Sequence, residues 1–203
     1  KDAVPEMKFI DDRPNYDYIY LTQELAEFRG RAFHRKKNHL NYFKKNFEYE
    51  YVDMTSDMTD EIMQFIADFN RKKEIPPHEM EMLEEAAMRD VLENLEPAGY
   101  RGGVILIDGK IESIAIGGRL GDDTIVEHVE KANVEYRGLY QLILNEFCKH
   151  IASDAKYLNR EEDMGLEGLR KSKMSYRPLR LVDKQIVLLK GDEKAMKSYG
   201  DPY

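Results

Sequence analysis

The sequence predicts an α/β (α+β) fold in which helices flank a mixed central sheet. Two observations carry that expectation. The apolar periodicity runs strand, two helices, a three-strand antiparallel run, helix, strand, helix, strand, an order that suits neither a bundle nor a pure barrel. The dipeptide Asp108-Gly109 stands between two apolar runs, which is the turn chemistry of a tight hairpin. At 203 residues, 42% hydrophobic and 34% charged, the chain is long enough for one large domain and too apolar for a disordered one.

Taken in order, Met7–Ile10 and Tyr16–Tyr20 read as short strands around a turn, and Thr22 suits a helix N-cap. Leu25, Phe28, Ala32, Phe33, Leu40, Phe43 and Phe47 recur at helical spacing, so a long helix is expected over 22–47, weakened at Gly30 and Asn38. Glu50–Val52 is a strand. Ile62, Phe65, Ile66 and Phe69 form the apolar stripe of a helix over 57–71. Beyond Pro76-Pro77, Met80, Leu83, Ala87, Val91 and Leu95 form the stripe of a second helix. Val104–Ile107, Lys110–Ile116 and Thr124–Glu130 make the antiparallel run, with Gly117-Gly118 as a bend or a close backbone approach. A helix over 137–152 buries Leu139, Leu142, Ile143, Phe147 and Ile151; Lys156–Leu158 is a strand, 165–173 a short helix, and 179–189 a terminal strand or strand pair. The stripes and their Met residues need no role beyond the core.

The net charge of -8 hides an asymmetry. Between Phe28 and Phe47 lie Arg29, Arg31, Arg35, Lys36, Lys37, Lys44 and Lys45, two histidines (His34 and His39) and no acid, while all 39 acidic residues lie elsewhere. Such a block attracts one anion locally and disfavours indiscriminate nucleic-acid binding, DNA included. It admits a phosphate, an anionic headgroup or one limb of an RNA; a solvated face balanced by nearby acids, or a dimer contact, is the other reading. One cysteine, Cys148, excludes a disulfide framework and a Cys-cluster metal site. The histidines have no metal-ligand spacing, no Walker or dinucleotide loop occurs, and no apolar run approaches a membrane span. A cytoplasmic location is expected.

Several strings resemble one family: His34-Arg35-Lys36-Lys37-Asn38-His39, Gly102-Gly103-Val104, Val129-Glu130-Lys131-Ala132 through Gly138-Leu139-Tyr140-Gln141, and above all Leu158-Asn159-Arg160-Glu161-Glu162-Asp163-Met164-Gly165 through Tyr176-Arg177-Pro178. The chain resembles the C-terminal domain of phosphatidylglycerol lysyltransferases and their free-standing relatives (family of unknown function 2156). The resemblance implies a GNAT-like acyl-N-acyltransferase fold, paired in tandem as in the Fem aminoacyl transferases. Residues 1–21 would then close a first GNAT-like unit whose upstream part precedes Lys1. Residues 22–47 would form a basic crossover helix, and 48–203 the second GNAT-like domain. It also implies a transferase moving an aminoacyl or acyl group to an amine or polar headgroup. Ordinary acetyltransferases cradle a pyrophosphate in an Arg/Gln-x-x-Gly-x-Gly/Ala loop; here Tyr136-Arg137-Gly138-Leu139-Tyr140 keeps one Gly and fills the turn with bulk. An aminoacyl-tRNA donor is therefore expected in preference to acyl-CoA, with no tightly bound cofactor.

Candidate site residues follow from these strings. Asn159, Arg160, Glu161, Glu162 and Asp163 lie between a strand end and a helix, where open sheets hold ligands. Arg170 and Lys173 sit three apart and could share an anion, alongside Arg160 and Tyr176; Arg35, Lys36 and Lys37 supply the basic helix, and Arg137 and Gly138 the helix start. Alternatively, Arg160, Arg170 and Lys173 pair with Glu161, Asp163 or Glu167 and only stabilise the turn. Acyl transfer needs a proton acceptor and no enzyme nucleophile. The catalytic candidates are His128, Glu130, Asn159, Glu161 and Asp163, with Thr124, His128 and Glu130 expected on one strand face. A histidine held at the core edge by Glu130 is the competing reading.

Overall fold

The computed structural model describes residues 7–72 and 79–189, except for the side chains of 79–84. Nine strands and six α-helices appear in it, together with short 3-10 turns. Seven strands form the central sheet, in the order β3 (Glu50–Asp53), β4 (Tyr100–Ile107), β5 (Lys110–Leu120), β6 (Thr124–Ala132), β7 (Tyr157–Asn159), β2 (Asp17–Leu21) and β8 (Arg180–Val182). Its pairs are antiparallel except β6 with β7. A separate ribbon pairs β1 (Met7–Asp11) with β9 (Gln185–Leu189).

Strand alternation divides the core between the two sheet faces. Ile105, Ile107 and Ala115 face one side with Tyr18, Tyr20 and Leu158; α1 (Thr22–Glu27), α2 (His34–Asn46) and α5 (Leu139–His150) cover them. Val104, Ile114 and Ile116 face the other side under α3 (Thr59–Lys72) and α4 (Glu79–Glu93). The apolar stripes of α3 and α5 are buried as the spacing predicts, and Asp108 and Gly109 both take positive φ, 51° and 74°, closing the β4–β5 hairpin. Pro76 and Pro77, and the side chains of Met80 and Leu83, fall outside what the structure describes.

The helix expected over 22–47 is broken. Phe28 turns left-handed at φ 46° with its ring fully buried, Gly30 follows at φ 81°, and a 3-10 turn over Arg31–Phe33 leads into α2. The buried anchor at Phe28 redirects the chain where Gly30 offers no resistance. Residues 17–21, read from sequence with an upstream unit, lie inside the seven-stranded sheet beside β7.

Two details of β6 position the site. Its register with β5 skips one residue, Gly117 pairing with Glu127 and Ile116 with Val129, so His128 is the extra residue of a β-bulge. Its parallel pairing with β7 ends at Val126 opposite Asn159, although β6 runs on to Ala132. Beyond Asn159 the chain stays with β2: the Arg160 N–H donates to Tyr18 O at 3.0 Å and the Tyr18 N–H to Glu161 O at 3.1 Å. The sheet therefore opens into a wedge between β6 and the residues after β7.

Candidate functional site

Arg160 fills the wedge. Its Nε donates to Glu127 Oε2 at 2.5 Å and its Nη2 to Glu130 Oε2 at 2.6 Å, and all three side chains are largely removed from water. The bulge makes this pairing available. Skipping His128 brings Glu127 and Glu130, three apart in sequence, to one side of β6, and separates His128 from Glu130. The shared face expected for Thr124, His128 and Glu130 is thus corrected. Burial, together with the neighbouring Glu127, pushes the Glu130 carboxyl up against the opposing pull of Arg160. One Glu127 oxygen, Oε1, is buried without a hydrogen-bond donor.

His128 binds Glu161 instead, Nδ1 to Oε1 at 2.7 Å, and stands edge-on to Tyr100, which packs with the α3–α4 core. Both members of the pair are 37% exposed. The pair thus lies with the α3–α4 side of the sheet, whereas Arg160 meets Tyr20 and Tyr176 on the α5 side.

The remaining candidates after β7 are consumed by the protein. Asp163 has no exposed side-chain surface; it accepts from Arg170 Nε and Nη2 at 2.8 and 2.9 Å, Arg13 Nη1 at 3.1 Å, the Tyr18 hydroxyl at 2.6 Å and the Gly165 N–H at 2.9 Å. Arg170, burial notwithstanding, holds its carboxyl well below the usual range. Its contacts give Asp163 a structural task, and the proton-accepting role expected of it does not fit. Asn159 likewise spans backbone and side chain, donating to Asp17 at 3.0 Å and accepting from the Glu161 N–H at 2.8 Å. Lys173 donates to the carbonyls of Arg160 and of Glu162, the latter at 2.6 Å, and burial lowers its pKa. The sequence had no signal for Arg13 and Tyr18 as partners, because they lie about 150 residues away.

A different set of cations is open. A cleft of about 820 Å³ lies between 31–39 and the end of α6 (Glu167–Met174), lined by Arg31, His34, Arg35, Lys36, His39 and Arg177 among others, and by no carboxylate. Among the described residues, Arg31, Arg35, Lys37 and Arg177 form no ion pair. Lys36 is half-buried, its Nζ 3.6 Å from the ring centre of Tyr176, and the Arg160 guanidinium lies 5.2 Å from the same ring centre. Burial and the Arg160 charge bring the Lys36 ammonium down to about 8. The Tyr176 hydroxyl is buried, accepts from Gln141 Nε2 at 2.9 Å, and is pushed up by that burial. The chain Lys36–Tyr176–Arg160–Glu130 thus joins the cleft to the wedge. Arg31, His34 and His39 belong to the basic stretch marked in the sequence and Arg177 to the polar string after β7, but none was singled out as a ligand, because the approach of 31–39 to the end of α6 has no local signal.

Arg137 and Gly138, expected at an anion-binding helix start, are both packed against α2. Gly138, at φ 100°, precedes α5, and a Cβ there would run into the carbonyl of His39. It is the point where α2 packs against the start of α5. Arg137 donates to His39 Nδ1 at 3.3 Å and covers Tyr42.

A mixed sheet flanked by helices, its one parallel pair β6–β7 diverging around Arg160, is the α/β architecture expected from the sequence. The chain belongs to the family described as phosphatidylglycerol lysyltransferase, C-terminal, which matches residues 2–188. A conserved protein of unknown function from Bacteroides thetaiotaomicron VPI-5482 is 37% identical, with a TM-score of 0.86 over 91% of this chain and 62% of that one. L-PGS from Bacillus licheniformis superposes with a TM-score of 0.70 at 12% identity, over 95% of this chain and 65% of that one. In sequence, the uncharacterized protein MYCGA3080 of Mycoplasmoides gallisepticum is 22% identical over 178 residues, 84% of this chain and 55% of the relative. The chain thus spans between 55% and 65% of the length of these relatives. No described helix is long and apolar enough to cross a membrane.

Proposed function

We propose that the protein is a transferase that takes an aminoacyl group from a phosphate-rich donor, an aminoacyl-tRNA, and passes it to an amine or to the polar headgroup of an anionic lipid. The carboxylate-free cationic cleft is the observation that carries this reading. Arg31, Arg35 and Arg177 present guanidinium forks free of ion pairs with described residues, the chemistry that holds phosphates. The family's description names a lysyl transfer to phosphatidylglycerol, which supports both the transferred group and an anionic acceptor.

Acyl-CoA fits less well. The turn before α5 packs closely against α2 at Gly138 and His39, which leaves little room there for a pyrophosphate. The transfer itself requires only that the acceptor be brought in line with the donor carbonyl and that the developing oxyanion meet positive charge. Lys36 and the surrounding guanidinium groups provide that field.

Incubating the protein with tRNA carrying labelled lysine or alanine, in the presence of phosphatidylglycerol vesicles or soluble amines, tests the reading. Label appearing in lipid or amine is the expected result. No transfer from any charged tRNA, with acyl-CoA consumed instead, would overturn it. A second reading, a module that binds phosphate-bearing partners without chemistry, is favoured by Arg160, which occupies the wedge. Binding of uncharged tRNA that falls steeply with salt, without transfer from charged tRNA, would decide for it.

A further inference from the structure

Lys36 stands apart from the other cations of the cleft. Its side chain is half-buried, no described carboxylate pairs with it, and its Nζ rests on the face of Tyr176 at 3.6 Å. That ring is held in place by Gln141, and Arg160 adds a second positive charge behind it. Lys37, one residue on, and Lys45, at the end of the same helix, are exposed.

Burial and the charge of Arg160 both disfavour the Lys36 ammonium. Glu130 acts the other way, but burial pushes its own carboxyl toward the neutral form. The ring face also favours the cation. The balance leaves an amine more often neutral than an exposed lysine's, and a lysine desolvated beside another cation is an activated nucleophile. The cleft walls supply the other half of the chemistry. Arg31, Arg35 and Arg177 attract an anion and hold it beside that amine.

We infer that Lys36 is an acylation site, its Nζ accepting acyl groups from donors that carry them on a phosphate. This rests on reading the cleft as an anion site. In the step, the Nζ lone pair forms a bond to the acyl carbon and the carbon–oxygen bond to phosphate breaks. The phosphate leaves with that electron pair, and the proton released by nitrogen passes to it or to water. The product is a neutral amide. Losing the charge of Lys36 weakens the cleft's hold on phosphate, so the modification turns down the site in which it forms.

Acetyl phosphate is the probe. The protein is treated near neutral pH, and acetylation at Lys36, Lys37 and Lys45 is followed by peptide mass spectrometry. A neutral acetylating ester of N-hydroxysuccinimide is run in parallel, and tRNA binding is measured separately. Lys36 should react at least about tenfold faster than Lys37 and Lys45 with both reagents, and excess inorganic phosphate should slow only the acetyl phosphate reaction. Equal rates at the three lysines with both reagents overturn the proposal, and if tRNA still binds with steep salt dependence the anion reading of the cleft survives that failure. Preference for Lys36 with the neutral ester alone overturns the phosphate-borne donor, and absent tRNA binding then removes the anion reading as well. Lys36→Arg removes the amine, so the fast-reacting position should disappear from the peptide map; a fast acetylation persisting in that variant would place the reactive amine elsewhere and sink the assignment.

Discussion

Two clusters of cations lie a few residues apart in this fold and have opposite fates. Around the wedge, Arg160, Arg170 and Lys173 meet Glu127, Glu130, Asp163 and two backbone carbonyls, nearly all of them poorly exposed. Across the Tyr176 ring, Arg31, Arg35 and Arg177 surround a cleft that no carboxylate lines. The residue types are the same; what differs is how many acids the surrounding elements bring. β6 delivers two glutamates through its bulge and the loop after β7 delivers Asp163, whereas 28–47 contains none. A buried cation is compensated from within, and an exposed one is left for a partner.

The sharpest way to break this contrast is Arg160→Met. It leaves Glu127 and Glu130 in a desolvated wedge without their counter-charge, and the expected loss is about 3–5 kcal/mol in denaturant unfolding. Adding Glu127→Gln and Glu130→Gln to that variant should recover most of the loss. A cost below about 1 kcal/mol for Arg160→Met would show that the wedge is wetter than its geometry implies.

The contrast also explains how much of the molecule could be read in advance. The element order, the hairpin and the stripes of α3 and α5 are local patterns, and they stand in the structure nearly as spaced; on α4 the described buried side chains are Met88 and Leu92, with Leu95 just past its end, while Ala87, expected in the stripe, is exposed. The break at Phe28–Gly30 is not local, because it depends on Phe28 finding a place in the core. The bulge at His128 depends on β5, so alternation along β6 alone set the wrong residues on one face. Basic residues in 28–47 were visible as a charge block, but which of them face a cleft depends on where α6 ends. The polar string after β7 stood out in sequence, and the structure shows much of it engaged in holding the chain together.

A smaller effect is expected at Asp163. Asp163→Asn removes the charge that Arg170 and Arg13 share; both arginines keep part of their hydration, so the cost should be about 2–3 kcal/mol. The native carboxyl titrates below its unfolded value of 3.8, so its stabilisation is present above that pH. Below it, the unfolded state takes up a proton that the native state resists, and stability falls with pH. The variant should therefore show a shallower acid limb in unfolding midpoint against pH. An unchanged limb would mean that Asp163 is not what acid attacks.

The smallest effect on the fold, and the most telling for the site, comes from reversing the open cations. Arg35→Glu with Arg177→Glu removes no described ion pair, so unfolding stability should stay within about 0.5 kcal/mol of the parent. Affinity for tRNA should nevertheless fall at least about tenfold. The slope of log affinity against log salt should lose roughly one for each phosphate contact removed. Lys8→Glu, on the exposed β1–β9 ribbon, changes the net charge in the same direction and serves as the control for long-range attraction. An equal loss from that control would assign the binding to overall charge and leave the cleft without a special part. A loss confined to the Arg35–Arg177 pair, at unchanged stability, would separate the cations that build this fold from those left free to meet a ligand.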